Sequence, residues 1–280
     1  MTSGRAERVV LVLSGGGAKA AAHLGAVRAL RASGVIPTRY VGTSMGAVIA
    51  TGLAAGLSPD DVAARLLEVK QRDIFTIDRT ALLKGVWARA LLKPEALRRT
   101  LERLLPVSSF AELAVPLSVT ATDLDSGEEL VFGAGGSDVP LLDALCASCA
   151  LPLFFPPVSL LGRRCADGGL REVVPLEVAG RFGADLVVAV DVGSGFDMEP
   201  GREPPEAPAL IQLQGDSQRV LMASNSALIR ALWLATPGRP PLLWIRPRVR
   251  LNETFATDQI QWYLEEGERA AIVALAARGT

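Results

Sequence analysis

The chain has 280 residues and one histidine, His23. It has three cysteines, and no Asp or Glu between Arg8 and Pro59. Each scarcity excludes something. The G-x-S-x-G sequence Gly42-Thr43-Ser44-Met45-Gly46 lies downstream of His23, so a triad in the α/β-hydrolase order Ser, acid, His cannot be built on it. If Ser44 is a nucleophile, its base is a carboxylate. An odd cysteine count in a long chain argues against a disulfide framework. Cys146-x-x-Cys149 has no second Cys/His pair to complete a zinc site. It sits in an apolar, helix-like segment, where core packing is the simpler reading. A formal charge of −1 and a pI of about 6.0 speak against a nucleic-acid surface. The apolar run 9–13 is too short for a signal-peptide core and ends in glycines. Two charge-free stretches, 40–59 and 144–162, are interrupted by the serine motif and by Pro152, Pro156 and Pro157. Buried core elements explain them better than membrane-spanning helices. The expectation is a soluble, cytoplasmic protein.

An apolar fraction of 49% is ample for one large core. Residues 8–13 (RVVLVL) and 185–190 (DLVVAV) read as strands buried on both faces. Residues 18–32 read as a helix ended by Gly34, and Ser58-Pro59 starts another that runs to about Gln71. Residues 72–93 have no clear pattern. Helices are expected at 94–105, 140–150, 176–182, 216–235 and 264–278. Strands at 117–122 and 129–132 pair around Asp125-Ser126-Gly127, and further strands fall at 164–166 and near 242–245. Alternating strands and helices give an α/β fold, a three-layer α/β/α arrangement around a mostly parallel sheet. We read a single domain over 1–280, with a motif-bearing core at about 8–192. Residues 193–208, rich in Gly and Pro, are expected as a mobile loop, and C-terminal helices complete the domain.

Gly15-Gly16-Gly17 falls between a strand and a helix, where backbone N–H groups gather to face an anion. Gly15-x-Gly17-x-x-Ala20 fits a dinucleotide fingerprint, but the acidic residue expected about 20 positions on is missing. The P-loop sequence is absent too, so no nucleotide cofactor is expected. The same N–H groups suit an oxyanion hole. Lys19, in the first helical turn where a cation is mildly unfavourable, is a candidate head-group contact, with plain solvation as the alternative. His23 reads as a packed or capping residue. Three aspartates follow strand-like runs, Asp123, Asp167 and Asp191, and any of them could be the base; Asp167-Gly168 also reads as a plain turn.

SGGGAKAAAHLGAVRAL, GTSMG and DGGL, in that order, resemble the patatin-like phospholipase family, and the resemblance extends through TATDLDSGEELVF and ALCASCALPLFFPPV, covering about residues 8–192. It implies a Ser44–Asp167 dyad, an oxyanion hole at Gly15, Gly16 and Gly17, and supporting roles for Gly42, Met45, Gly46, Gly168 and Gly169. It implies no metal and no cofactor, and hydrolysis of fatty-acyl esters of phospholipids or other lipids. Two positions depart from the family pattern: Ala20 replaces a glycine, and Cys146 stands where the family often has arginine. The competing readings are a carboxylesterase or thioesterase acting on soluble esters, and a catalytically weak acyl-binding scaffold or regulator. A basic segment at 79–93 with Leu83, Val86, Trp87, Ala90 and Leu91 at helical spacing is a candidate for peripheral membrane contact. Trp233, Leu242, Leu243 and Trp244 with Arg246, Arg248 and Arg250 form a second candidate.

Overall fold

The computed structural model describes residues 7–74, 76, 90–199, 201, 208–250 and 257–278. Its strands are β1 (Val9–Leu13), β2 (Arg39–Thr43), β3 (Leu117–Asp123), β4 (Glu129–Gly133), β5 (Val158–Leu160), β6 (Arg163–Asp167), β7 (Leu186–Val190) and β8 (Leu242–Ile245). The helices are α1 (Ala22–Ala32), α2 (Met45–Ala54), α3 (Pro59–Leu67), the single turn α4 (Gln71–Ile74), α5 (Pro94–Leu104), α6 (Leu141–Ser148), α7 (Leu176–Gly180), α8 (Ala209–Ala235) and α9 (Ile260–Arg278).

The sheet has eight strands. β3, β2, β1, β7 and β8 are parallel neighbours in that order; β4 and β6 run antiparallel to β3, and β5 antiparallel to β6. The expected mostly parallel, three-layer α/β/α fold is the fold observed. β1 shows why its sequence is a continuous apolar run. Val9, Leu11 and Leu13 enter one core with residues of α1, α2, α3, α5, α6 and α9, while Val10 and Val12 enter a second core with α7 and Trp233 of α8. A strand covered on both faces has no solvent side on which to place polar residues. α1 and α9 approach closely because of paired glycines. A Cβ on Gly25 would strike the Leu264 carbonyl, and one on Gly267 the Ala22 carbonyl.

Three expectations are corrected. The helix expected from residue 18 begins as a 3-10 turn at Gly17–Ala21 and becomes α-helical only at Ala22. α8 begins at Ala209 rather than 216, so the expected loop 193–208 ends in a helix start; residues 200 and 202–207 lie outside the described residues. Gly215 signals a break in sequence, but a Cβ there would meet nothing, and one exposed glycine costs a helix only about 1 kcal/mol. Strand β5 was not expected; it pairs with β6 across Leu161-Gly162. The helix start at Ser58 is as expected, with Ser58 and Asp61 forming a capping box.

Candidate active site

β2 ends at Thr43 and α2 begins at Met45, leaving Ser44 alone on the turn with φ 53° and ψ −131°. Such a conformation costs a non-glycine residue on the order of 1–3 kcal/mol, and surrounding contacts must hold it. Two do so. The Ser44 N–H donates to Ser148 Oγ at 2.8 Å, and the Ser44 carbonyl accepts from Ala47 and Val48 at 2.9 and 3.3 Å. Small neighbours make the turn fit: a Cβ on Gly42 would collide with Ala47, and one on Gly46 with the Leu13 and Ser14 carbonyls. Met45 packs against the larger core. Ser44 itself stays partly exposed.

The sheet register brings Asp167 to this turn. β2 lies along β3 as far as the pair Thr43–Thr120, and β6, running the other way, takes up β3 from the pair Asp167–Ala121. The ends of two strands far apart in sequence therefore meet head to head. Asp167 is 4% exposed. Its Oδ1 accepts the Gly169 N–H at 2.8 Å, its carbonyl accepts the Thr122 hydroxyl at 2.9 Å, and its N–H donates to the Ala150 carbonyl at 3.0 Å. Gly168 lies too close to the Thr120 carbonyl to carry a side chain. Burial pushes the Asp167 carboxyl up to about 6, against the opposing pull of the Gly169 N–H and the Ser44 side chain. No cation pairs with it among the described residues.

The other two aspartates are committed elsewhere. Asp123 accepts the Asp125 N–H, the Ser126 hydroxyl and Arg163, and the first of these leads in holding its carboxyl below the usual range. Asp191 accepts the Gly193 N–H at 2.9 Å and pairs with Arg246 at 3.1 Å. Lys19 is 3% exposed, and its charge acts on Asp191. This corrects the reading of Lys19 as plainly solvated: the cation is buried within electrostatic reach of a carboxylate. His23 is the packed residue expected. Its Nε2–H donates to the Ser14 carbonyl at 2.9 Å, and burial lowers its pKa to about 4.

The glycine loop lies alongside Ser44. A Cβ on Gly15 would sit 3.4 Å from Ser44 Cβ. The three amides are not equivalent. The Gly15 N–H donates to the Val173 carbonyl at 3.0 Å, so it is removed from the expected donor set. Gly16 and Gly17 donate to no acceptor among the described residues. Gly17 adopts φ 61°, open to glycine, and Gly16 packs against Val192 with no room for a Cβ. Ala20, where the family has glycine, fits in the core.

Two residues here were not read as part of the site: Ser148 carried no motif signal, and Cys149 was read as core packing. Ser148 and Cys149, at the end of α6, both face Ser44: Ser148 accepts its N–H, and the Cys149 thiol interacts with its side chain. Burial, with the Asp167 charge second, raises the Cys149 thiol well above its usual value, so it stays protonated. Their place within the stretch ALCASCALPLFFPPV, part of the family resemblance, is the signal that could have found them. Cys146, the other departure, packs in the core with the Arg98 guanidinium in electrostatic reach.

Most of the basic segment 79–93 lies outside the described residues. The second membrane candidate is not a surface patch: Trp233 is buried, Arg246 is tied to Asp191 and Asp197, and Arg248 pairs with Glu199 and Glu266. Among the described residues no helix is long and apolar enough to cross a membrane.

The chain resembles known proteins in sequence and in fold. A family profile described as Patatin-like phospholipase matches residues 11–179. An uncharacterized NTE family protein of Mycobacterium bovis is 33% identical over 196 residues, covering 70% of this chain and 52% of that protein. An uncharacterized NTE family protein of Mycobacterium tuberculosis is 30% identical over 285 residues, 96% of this chain and 46% of that protein. The chain thus spans about half the length of these curated relatives. Among solved structures, human GIVD cytosolic phospholipase A2 with a methyl gamma-linolenyl fluorophosphonate inhibitor superposes with a TM-score of 0.52 at 14% identity, covering 97% of this chain and 60% of that one. VipD from Legionella pneumophila does so with a TM-score of 0.50 at 15% identity, over 98% of this chain and 67% of that one. At such identities these two report on fold. The profile, matching more than half of the chain, settles the family: this protein belongs to the patatin-like phospholipases.

Proposed function

We propose that the chain is a serine acyl hydrolase that cleaves fatty-acyl esters of lipids, with Ser44 as nucleophile and Asp167 as its base. The observation that carries this reading is the buried Asp167 carboxyl beside the strained, partly exposed Ser44, with no described cation to neutralise it. An ordinary aspartate is a poor base near pH 7, and a value of about 6 moves Asp167 toward the useful range.

Asp167 takes the proton of Ser44 Oγ as that oxygen bonds to the ester carbonyl carbon. The carbonyl oxygen becomes an oxyanion and receives the N–H groups of Gly16 and Gly17; each such donor is worth about 3–4 kcal/mol of barrier in known enzymes. Collapse breaks the ester C–O bond, and the proton on Asp167 passes to the departing alcohol. Asp167 then deprotonates water, which attacks the acyl-serine. Ser44 recovers its proton and the fatty acid leaves. The patatin-like family and the human phospholipase A2 of the same fold favour a lipid ester.

Intact-protein mass after treatment with a long-chain fluorophosphonate tests this. The expected result is one adduct on the wild type, none on Ser44→Ala, and strongly slowed labelling of Asp167→Asn. A wild type that stays unlabelled, in detergent and with vesicles, overturns it. Preference for short, water-soluble esters with no gain on vesicles would move the substrate to the esterase class.

A further inference from the structure

Exposed large apolar side chains are not scattered over this molecule. Among the described residues, seven of the thirteen lie on α8: Leu210, Leu213, Val220, Leu221, Leu228, Leu232 and Leu234. α8 is 27 residues long, about 40 Å at 1.5 Å per residue. One of its faces is already used. Met222, Ile229 and the buried Trp233 pack on the second core. Leu210, Leu213, Leu221, Leu228 and Leu232 recur at spacings of three, four, seven and eight, which places them on one stripe turned away from that face. Leu213, Leu221 and Leu228 are 63%, 70% and 66% exposed. The remaining stripe positions are Gln214, Ser217, Ser224, Ala231 and Ala235. None is charged, and Asp216, Arg219 and Arg230 fall elsewhere on the helix.

The helix is fixed to the candidate active site. A Cβ on Gly169, two residues past Asp167, would come within 2.8 Å of Met222 Cε, and the Asn225 amide donates to the Arg171 carbonyl. The stripe therefore runs past the turn that carries the proposed base. We propose that the outer face of α8 docks on the surface of a neutral lipid bilayer, seating Leu213, Leu221 and Leu228 at its acyl boundary beside the site that takes the lipid ester. This rests on the lipid acyl hydrolase reading. Two features favour lipid over a second copy of the chain. The stripe continues from a site whose proposed substrate is itself lipid, and Gln214, Ser217 and Ser224 interrupt it mid-helix, where tight helix pairing would bury unmatched polar groups. Lacking charge, the stripe gains nothing from anionic head groups, so binding depends weakly on salt.

The test is co-sedimentation of the 280-residue chain with phosphatidylcholine vesicles, for wild type, Ser44→Ala, the double variant Leu221→Asp/Leu228→Asp, and a control, Ile272→Asp/Val273→Asp, which alters exposed apolar residues of α9. Melting temperature, light scattering and hydrolysis of a short soluble ester are measured alongside. Wild type, Ser44→Ala and the control are expected to sediment alike, and the α8 variant to bind at least about tenfold more weakly, with soluble-ester rates within twofold (~2) of wild type and an unchanged melting temperature. Failure of the wild type to bind, or equal binding by the α8 variant, overturns the proposal. So does a wild-type dimer that the α8 substitutions dissociate without changing vesicle binding. Absence of ester hydrolysis and labelling in every form, with the binding pattern as expected, would leave the docking surface standing and remove the hydrolase reading.

Discussion

Asp167 and Asp191 occupy matching positions and have different surroundings. Each closes a strand end, is nearly buried, and accepts the N–H of a glycine two residues on, at 2.8 and 2.9 Å. At Asp191 the charge is met by Arg246, with Lys19 adding to it. At Asp167 no described cation enters, and the Ser44 side chain stands there instead. On the proposed function, the same turn chemistry serves structure at one site and reactivity at the other. Burial raises both carboxyls; at Asp191 the Arg246 guanidinium leads the opposition to that rise, whereas at Asp167 only the Gly169 N–H and the Ser44 side chain oppose it.

Substitution separates the two. Asp167→Asn is expected to lower fluorophosphonate labelling and ester hydrolysis by about a thousandfold or more, while Asp191→Asn keeps both within about threefold, as read by labelling rate (~3). Comparable losses would remove the distinction. Asp167→Asn also has an opposite effect on stability. The folded-state pKa is raised, so the wild-type carboxyl contributes stability below its unfolded value, which is lost as pH rises through about 6. At pH 7.5 the asparagine variant, which keeps an acceptor for Gly169, should be more stable by about 3 kcal/mol. That gap should close below pH ~4, as followed by denaturant melts.

Removing the cation sharpens the comparison from the other side. Arg246→Gln leaves Asp191 buried without its partner and should cost about 3 kcal/mol of stability, with labelling at Ser44 little changed. A smaller effect is expected in pH dependence: kcat/KM on a soluble ester rises with an apparent pKa of about 6, because Asp167 must lose its proton to act. The smallest is Ser148→Ala. Loss of one neutral hydrogen bond to the Ser44 amide, worth about 1 kcal/mol, should lower kcat about fivefold with KM unchanged, and Ser148→Thr should restore part of it. A change in KM alone would make Ser148 a binding residue rather than one that positions Ser44.

Much of this was legible from one sequence because its constraints are local. A two-sided strand must be apolar throughout, which marked β1 and β7. A strained serine turn needs small neighbours, which marked Gly42 and Gly46, and a helix start needs an acceptor, which marked Ser58. Even the missing histidine narrowed the base to a carboxylate. What local pattern could not supply was partnership over distance. Lys19 looked like a head-group contact or a solvated cation because nothing near it in sequence predicts Asp191. Gly15 looked like an oxyanion donor because its acceptor, the Val173 carbonyl, is a main-chain group that no side chain announces. Ser148 carries no motif, and α8 was read as starting seven residues late because Gly215 resembles a stop. By itself the sequence determined the α/β class, the serine turn, the glycine loop and a short list of three aspartates. The resemblance to the family pointed to Asp167 among them; only the tertiary structure decided the surroundings that set it apart, where β6 meets β3 and which buried carboxyl has no described cation, because both are set by packing between segments that the chain order keeps apart.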